Sequence, residues 1–436
     1  MRIVEHLKRI LLTDKTREKY RVSDKDFTRK RVLTFTIVAV SILRGHKFSL
    51  QNALNKVFEA LGKLRLTPTN SALCQARQKI SPELFVDLHQ AARDDFYQLY
   101  GQDGEVLTWR SHRVLAYDGS DLILPKTPEL QKAFSTQRNQ HGSESGHALA
   151  GVLYDVRNDI AIGAQLGPLQ AEKNFLLNDL WSGTKPGHLI VMDRLFDDYA
   201  VIATAKKDGR EVLIRCPRNS FAVVQEFWDS DETERLVRLE MPQTAKTRNY
   251  VRQHGLPEAV PVRLMKFTLE TGEVEVLLTT LCDQRRYPRA EFKELYHWRW
   301  NEETFLDRIK NIFEVERFSG FSETAIKQDF FGVIFLATLE SIMAKGPQSE
   351  LAEQDRRRRN KTQAMVNRAV SYVSLIDRTV QLLADPRSDP EEVLDDLRCL
   401  FKKDPTRNLK DRKFERKKFN HAARLRFHRY RKRINA

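Results

Sequence analysis

The spacing of apolar positions along the chain changes twice, and each change marks a different kind of structure. Up to about residue 105 apolar residues recur at helical spacing. Phe27 to Leu43 predicts a helix that is basic and then apolar. Ser49 opens another, with Leu50, Leu54, Val57, Phe58 and Leu61 on one stripe until Gly62 closes it. Thr69 to Lys79 predicts a short helix carrying Arg77 and Lys79, and Ser81-Pro82-Glu83 is an N-cap with proline at the first helical position. Helices at 49–61 and 70–79 leave two readings open, a nucleic-acid-reading helix-turn-helix and a plain helical bundle.

From Val114 the apolar residues run consecutively in short stretches, as in strands buried on both faces. Two such runs end in aspartate: Arg113-Val-Leu-Ala-Tyr-Asp118 and His188-Leu-Ile-Val-Met-Asp193. Gly146 to Tyr154 and Ile160 to Leu166, separated by Arg157-Asn158-Asp159, predict a hairpin. Ala171-Glu172 opens a helix, and Glu211 to Arg215 is a further strand. Val262 to Glu270 and Glu273 to Leu281, around Thr271-Gly272, predict a second hairpin within a β-rich insertion. A long helix follows from about Arg289 to Phe313, then an apolar helix from Ser322 to Lys345. Residues 346–360 read as a linker, and 361–400 as amphipathic helix. A hairpin meander followed by alternating helix and strand fits a ribonuclease-H-like α/β fold.

The helix at 289–313 carries Tyr296, Arg299, Glu303 and Lys310, spaced Y-x2-R-x3-E-x6-K. On an unbroken α-helix these side chains fall at about 0°, −60°, −20° and −40°, one narrow polar face. One carboxylate beside two cations and a phenol suits a site that binds both a divalent metal and a phosphate. The competing reading is an exposed helix whose charges face water. Asp118 and Asp193 tip the choice, because strand C-termini are where α/β sheets place their chemistry. Three acids from separate segments suffice to bind two Mg²⁺. Each acid has a neighbour to be set aside. Asp121 lies beyond the apolar run, and Gly119 offers a tight departure that exposes Asp118. Asp197 and Asp198 precede Tyr199-Ala-Val-Ile and read as helix caps, and Asp307 lies one turn past Glu303.

Taken together these residues resemble the DDE transposases of bacterial insertion sequences, in the group marked by a YREK signature. The resemblance covers roughly residues 70 to 345. It rests on Asp118-Gly119-Ser120 with Leu124-Pro125 following, on Asp193-Arg194, and on Tyr296, Arg299, Glu303 and Lys310. Leu195-Phe196 stands where Gly-Phe is commoner. The resemblance implies cut-and-paste transposition by a ribonuclease-H-like core. Asp118, Asp193 and Glu303 would be the catalytic metal ligands for two Mg²⁺, with Mn²⁺ as a substitute. Tyr296, Arg299 and Lys310 would contact DNA. It further implies double-stranded DNA partners, namely transposon terminal inverted repeats and target DNA, an insertion that contacts the end, and a homodimer in the DNA complex. Alternatives are a ribonuclease-H-like nuclease without strand transfer and a domesticated DNA-binding derivative.

Composition sharpens this reading at two points. The net charge is +15 over 436 residues, and Lys402 to Ala436 alone holds fifteen Lys or Arg against three acids. That tail, with Phe414, Phe419, Leu425, Phe427 and Tyr430 interleaved, is a candidate nucleic-acid arm; a membrane-surface segment or a solvated tail are the alternatives. The sequence shows no apolar run of 18 residues and no signal-peptide pattern, which predicts a cytoplasmic, nucleoid-associated protein without a membrane role. Cys74, Cys216, Cys282 and Cys399 form no zinc pattern, so metal ligands must be carboxylates. The expected organisation is helical at 1–105, core at 106–216, insertion at 217–284, core again at 285–345, and a helical basic region at 346–436.

Overall fold

The computed structural model describes residues 1–407 except residue 30 and residues 46–48, 139–143 and 270–271. The protein is mixed α/β, about half helical, and separates into two compact units. One comprises residues 100–122 and 148–306; the other comprises 1–99, 123–147 and 307 onward.

Nine strands form the large sheet: β1 Val114–Leu124, β2 Ser135–Arg138, β3 Glu144–Asp155, β4 Ile160–Gly167, β5 Leu189–Met192, β6 Glu211–Cys216, β7 Glu234–Glu240, β8 Ala259–Thr268 and β9 Val274–Thr279. The order runs β3-β1-β5-β6-β9-β8-β7, with β4 and β2 both paired to β3. β1, β5 and β6 are parallel neighbours, and all four residues of β5 are buried, which is why its sequence is unbroken Leu-Ile-Val-Met. The β3–β4 hairpin turns where expected. Asp155 pairs with Ile160, Asn158 Nδ2 donates to both Asp155 oxygens at 3.0 Å, and Asp159 takes the left-handed conformation that closes the turn.

Segment 217–284 extends this sheet rather than starting another. β8 and β9 form the second expected hairpin, closed by Leu269 N–H donating to Glu273 O at 2.8 Å with Gly272 at φ +83°; Thr271 lies outside the described residues. β9 then pairs antiparallel with β6. Phe227 is fully buried beneath Arg235 and Lys266, which gives it a packing role.

In the other unit, helix Phe35–Gly45 begins later than its pattern predicts. Phe27 has φ +56° and its ring meets Phe35 edge-on at 5.5 Å, and the described residues between them are not helical. The expected linker at 346–360 is also helix, because Glu323–Arg358 runs unbroken through Gly346 and Pro347 and ends at Arg359 with φ +53°. Pro347 is buried within this helix, and in its later turns Glu350 pairs with Arg398 at 2.7 Å and with Lys402. The helix is long and apolar enough to cross a membrane, but 83% of its most apolar window is buried in the protein, so it is a core helix. Residues 408–436, and with them most of the expected nucleic-acid arm, lie outside the described residues.

Arg77 corrects the expectation of a short helix presenting cations. It is 2% exposed, and its guanidinium donates to Gln328 Oε1 (2.8 Å), Ser319 Oγ (2.7 Å), Ala325 O (3.2 Å) and Asp329 Oδ1 (2.8 Å). Lys79 pairs with Asp26 at 3.4 Å. Arg77→Ala would strand the buried Asp329 carboxylate and should cost about 3–5 kcal/mol, read from the urea midpoint of unfolding. A loss under ~1 kcal/mol would mean the network does not hold this region together.

Candidate active site

Strand register brings the two aspartates level. β1 and β5 pair in parallel as Val114↔Leu189, Leu115↔Ile190 and Ala116↔Val191. Asp118 and Asp193 each lie two residues past the last pair, where continuing the same register would set them level, and the charge of Asp193 acts on Asp118. Asp193 accepts from Leu195 N–H at 2.8 Å and caps the turn Arg194–Phe196. Asp118 Oδ1 accepts from Gly119 N–H at 2.8 Å.

The local setting of Asp118 differs from expectation. β1 continues to Leu124, so Asp118 lies within a strand and the chain does not leave the sheet at Gly119. What Gly119 permits is close approach: a Cβ there would overlap Glu172 Oε1 and sit 2.8 Å from its Cδ. Asp198 caps the helix Tyr199–Lys207, donating nothing and accepting from Ala200 N–H at 2.9 Å, which is the role its position suggests. Asp197 instead accepts from Cys216 Sγ at 3.3 Å.

The segment expected as one long helix is broken. Phe292–His297 and Trp300–Asp307 are α-helical, Arg299 lies in the turn between them, and Arg308–Ile312 is a π-helical turn. At the break the bonds tighten to three-residue spacing, Arg299 N–H to Tyr296 O at 3.1 Å and Glu302 N–H to Arg299 O at 3.0 Å. A constant 100° per residue therefore fails across it. Nor is the face solvated, since Tyr296 is 5% and Arg299 6% exposed. The break turns Arg299 toward the acids, with Nη2 2.7 Å from Glu303 Oε1 and Nη1 3.4 Å from Asp118 Oδ2. Its Nε is buried without a partner, and its guanidinium lies 5.8 Å from the Tyr296 ring and 5.3 Å from that of Trp300. Asp118, Asp193, Tyr296, Arg299 and Glu303 thus share one unit; Lys310, half-buried, belongs to the other.

Two acids at this site escaped the sequence reading. Glu172, read only as the start of a helix, lies against Gly119. Glu302 is 0% exposed, and neither of its oxygens has a hydrogen-bond partner. Glu302 was detectable as an acid on an apolar stripe, with Leu295, Trp298, Phe305 and Leu306 at helical spacing from it. Glu172 left no such signal, because only the fold brings it to Asp118.

Crowding of carboxylates shows in their acidity. Burial pushes Asp118 up to about 6, with Asp193 and Glu303 adding to the rise while the Gly119 N–H and Arg299 oppose it. Glu172 is raised to about 7 by burial and by the charges of Asp118 and Asp193, and burial lifts Glu302 well above the carboxylate range. Burial likewise raises the Tyr296 phenol to about 12. In the metal-free protein, folding favours the neutral form of Asp118. That contribution is complete below about pH 4 and disappears as pH rises through about 6. Measured against Asp118→Asn in chelator, the wild type should therefore lose about 2–3 kcal/mol of unfolding free energy between pH 4 and pH 7. Parallel profiles for the two proteins would refute the assignment.

These groups suit a divalent cation in donor chemistry and in charge. All are hard oxygen donors, Glu302 is fully buried and the other four are partly exposed, and Arg299 is the cation that spans two of them. Among the described residues no three His, Cys, Asp or Glu side chains are drawn together closely enough to hold a metal as they stand. The guanidinium between Asp118 and Glu303 takes the counter-ion's place.

Comparison with known proteins adds three findings. Residues 109–339 match the family described as the transposase DDE domain. The chain is similar to the transposase InsG for insertion sequence element IS4 of Escherichia coli (strain K12), at 26% identity over 322 residues, covering 71% of this chain and 68% of that protein. It is also similar to a piggyBac transposase solved as a synaptic complex with hairpin DNA, at 10% identity and a TM-score of 0.45, covering 96% of this chain and 88% of that one.

Proposed function

The chain belongs to the transposase DDE domain family, and from that premise we propose that it is a cut-and-paste DNA transposase with Asp118, Asp193 and Glu303 as its metal-binding catalytic acids. The observation that carries the reading is the shared register that sets Asp118 beside Asp193, with Arg299 linking Asp118 to Glu303. The strand order β4-β3-β1-β5-β6, with the last three parallel, supports a ribonuclease-H-like core around them. Tyr296, Arg299, Glu303 and Lys310 keep the YREK-type spacing in the sequence.

Two divalent cations, Mg²⁺ with Mn²⁺ as substitute, would lower the pKa of the attacking water or 3′-hydroxyl and neutralise charge on the leaving oxygen. Asp118 within β1 and Asp193 just past the end of β5 hold their carboxylates on neighbouring parts of the sheet, which would fix the spacing that in-line displacement needs. Glu303 approaches from the helical side. Arg299 keeps Asp118 and Glu303 in place before substrate arrives, and its unpartnered Nε leaves it a donor for a phosphate oxygen. In this reading Lys310 and Tyr296 position the DNA end, the duplex partners are the transposon's terminal inverted repeats and target DNA, and two copies of the chain act together on them. The site of action is the bacterial nucleoid.

A pre-cut end duplex taken from the DNA flanking the gene, mixed with plasmid target and Mg²⁺, separates transposition from plain hydrolysis. The reading expects end–target joints of fixed polarity. Hydrolysis of the duplex without any joint would leave a nuclease.

A further inference from the structure

Two acids beside Asp118 have so far no role, and the fold holds one of them deliberately in place. Glu172 opens the short helix Glu172–Asn174. Its main-chain carbonyl accepts the Tyr117 hydroxyl at 2.8 Å, and the next residue, Lys173, pairs with Asp198 at 3.1 Å. Those two ties press its carboxyl against Gly119, at the one position along β1 beside Asp118 that has no Cβ to exclude it. The charges of Asp118 and Asp193 both act on it.

Glu302 supplies an independent sign that the cluster is built around something positive. It is completely buried, neither oxygen is hydrogen-bonded, and its charge interacts with Asp118, Glu172, Glu303 and Arg299. A buried carboxylate with no donor is costly, and breaking or omitting its counter-charge costs several kcal/mol in general. Asp118, Glu172, Asp193, Glu302 and Glu303 are linked by their electrostatic interactions, and the cations recorded against them are Arg299, which pairs with Asp118 and Glu303, and Lys173, which acts on Glu172. Divalent cations supply what that balance lacks.

We propose that Glu172 is a fourth metal ligand, which together with Asp118 holds one of the two divalent cations. Hard, oxygen-only coordination with one carboxylate shared between two ions is ordinary chemistry for Mg²⁺ and Mn²⁺. Glu302 lies behind this pair as a buried charge that the bound ion neutralises. The inference rests on the reading of Asp118, Asp193 and Glu303 as metal ligands.

The test is Mn²⁺ binding to the full chain, followed by electron paramagnetic resonance of the free ion. Wild type should bind two ions. Glu172→Gln should lose one of them or bind it at least ~10-fold more weakly, since even an outer partner of a metal ligand is worth about that much. Glu172→Asp should fall between. Gly119→Ala, which displaces the Glu172 carboxyl without deleting it, should reproduce the loss and covers the case in which Glu172→Gln folds poorly. If Asp193→Asn weakens binding while Glu172→Gln and Gly119→Ala bind as wild type does, Glu172 is no ligand and the three-acid reading stands. If Asp193→Asn and Asp118→Asn also bind as wild type, the three-acid reading falls with it.

Discussion

Asp118→Asn, Asp193→Asn and Glu303→Gln should each lower Mg²⁺-dependent cleavage of an end duplex by ~10³-fold or more, with DNA binding kept within a few-fold. Each change removes an anionic oxygen from the proposed metal site, where holding cations against phosphate would contribute several kcal/mol to the transition state. None removes a group that attracts the DNA backbone, so affinity should survive. Asp118→Asn carries one further expectation: because burial, with the charges of Asp193 and Glu303, disfavours the ionised wild-type carboxyl, the metal-free variant should be no less stable than wild type at pH 7. Cleavage near the wild-type rate in any of the three would strike that residue from the site.

Arg299→Ala should reduce cleavage and joining by about 10²-fold with a small effect on binding, since it misplaces the reacting groups rather than removing much of the phosphate contact. The geometry gives this residue two duties. Its guanidinium spans Asp118 and Glu303, and its remaining Nε is unpartnered. Lysine keeps the charge but cannot reach two carboxylates with a planar fork, so Arg299→Lys should recover little of the loss. Rates unchanged in both variants would make Arg299 a structural ion pair only, and the role given to the break in the helix would go with it.

The contrast between what the sequence revealed and what it concealed has physical causes. Asp118 and Asp193 were legible because consecutive apolar residues mark buried parallel strands, and a charge ending such a run needs a reason. The interval of 75 residues between them then equals the register offset between β1 and β5. The β3–β4 and β8–β9 hairpins were legible from their turn residues. Spacing alone put Tyr296, Arg299 and Glu303 on one face, but it assumed a uniform helix. The break at Arg299 and the π-helical turn after Asp307 arise from tertiary packing that no periodicity reports. For the same reason Arg77 looked like a surface cation. Its partners Ser319, Gln328 and Asp329 lie some 250 residues away. Residues 346–360 read as a linker because the burial of the helix that runs through Gly346 and Pro347 is not visible in the sequence. Glu172 reaches Asp118 only because Tyr117 and Gly119 draw its helix in.

The central claim is that Asp118, Asp193 and Glu303 coordinate the cations that drive strand cleavage, and exchange of one ligand's softness tests it most directly. A thiolate binds Mg²⁺ poorly and Mn²⁺ better. Asp118→Cys, Asp193→Cys and Glu303→Cys should therefore be inactive on an end duplex in Mg²⁺ and regain cleavage when Mn²⁺ replaces it. Cysteine variants that cleave in Mg²⁺ as fast as the wild-type chain would contradict the account.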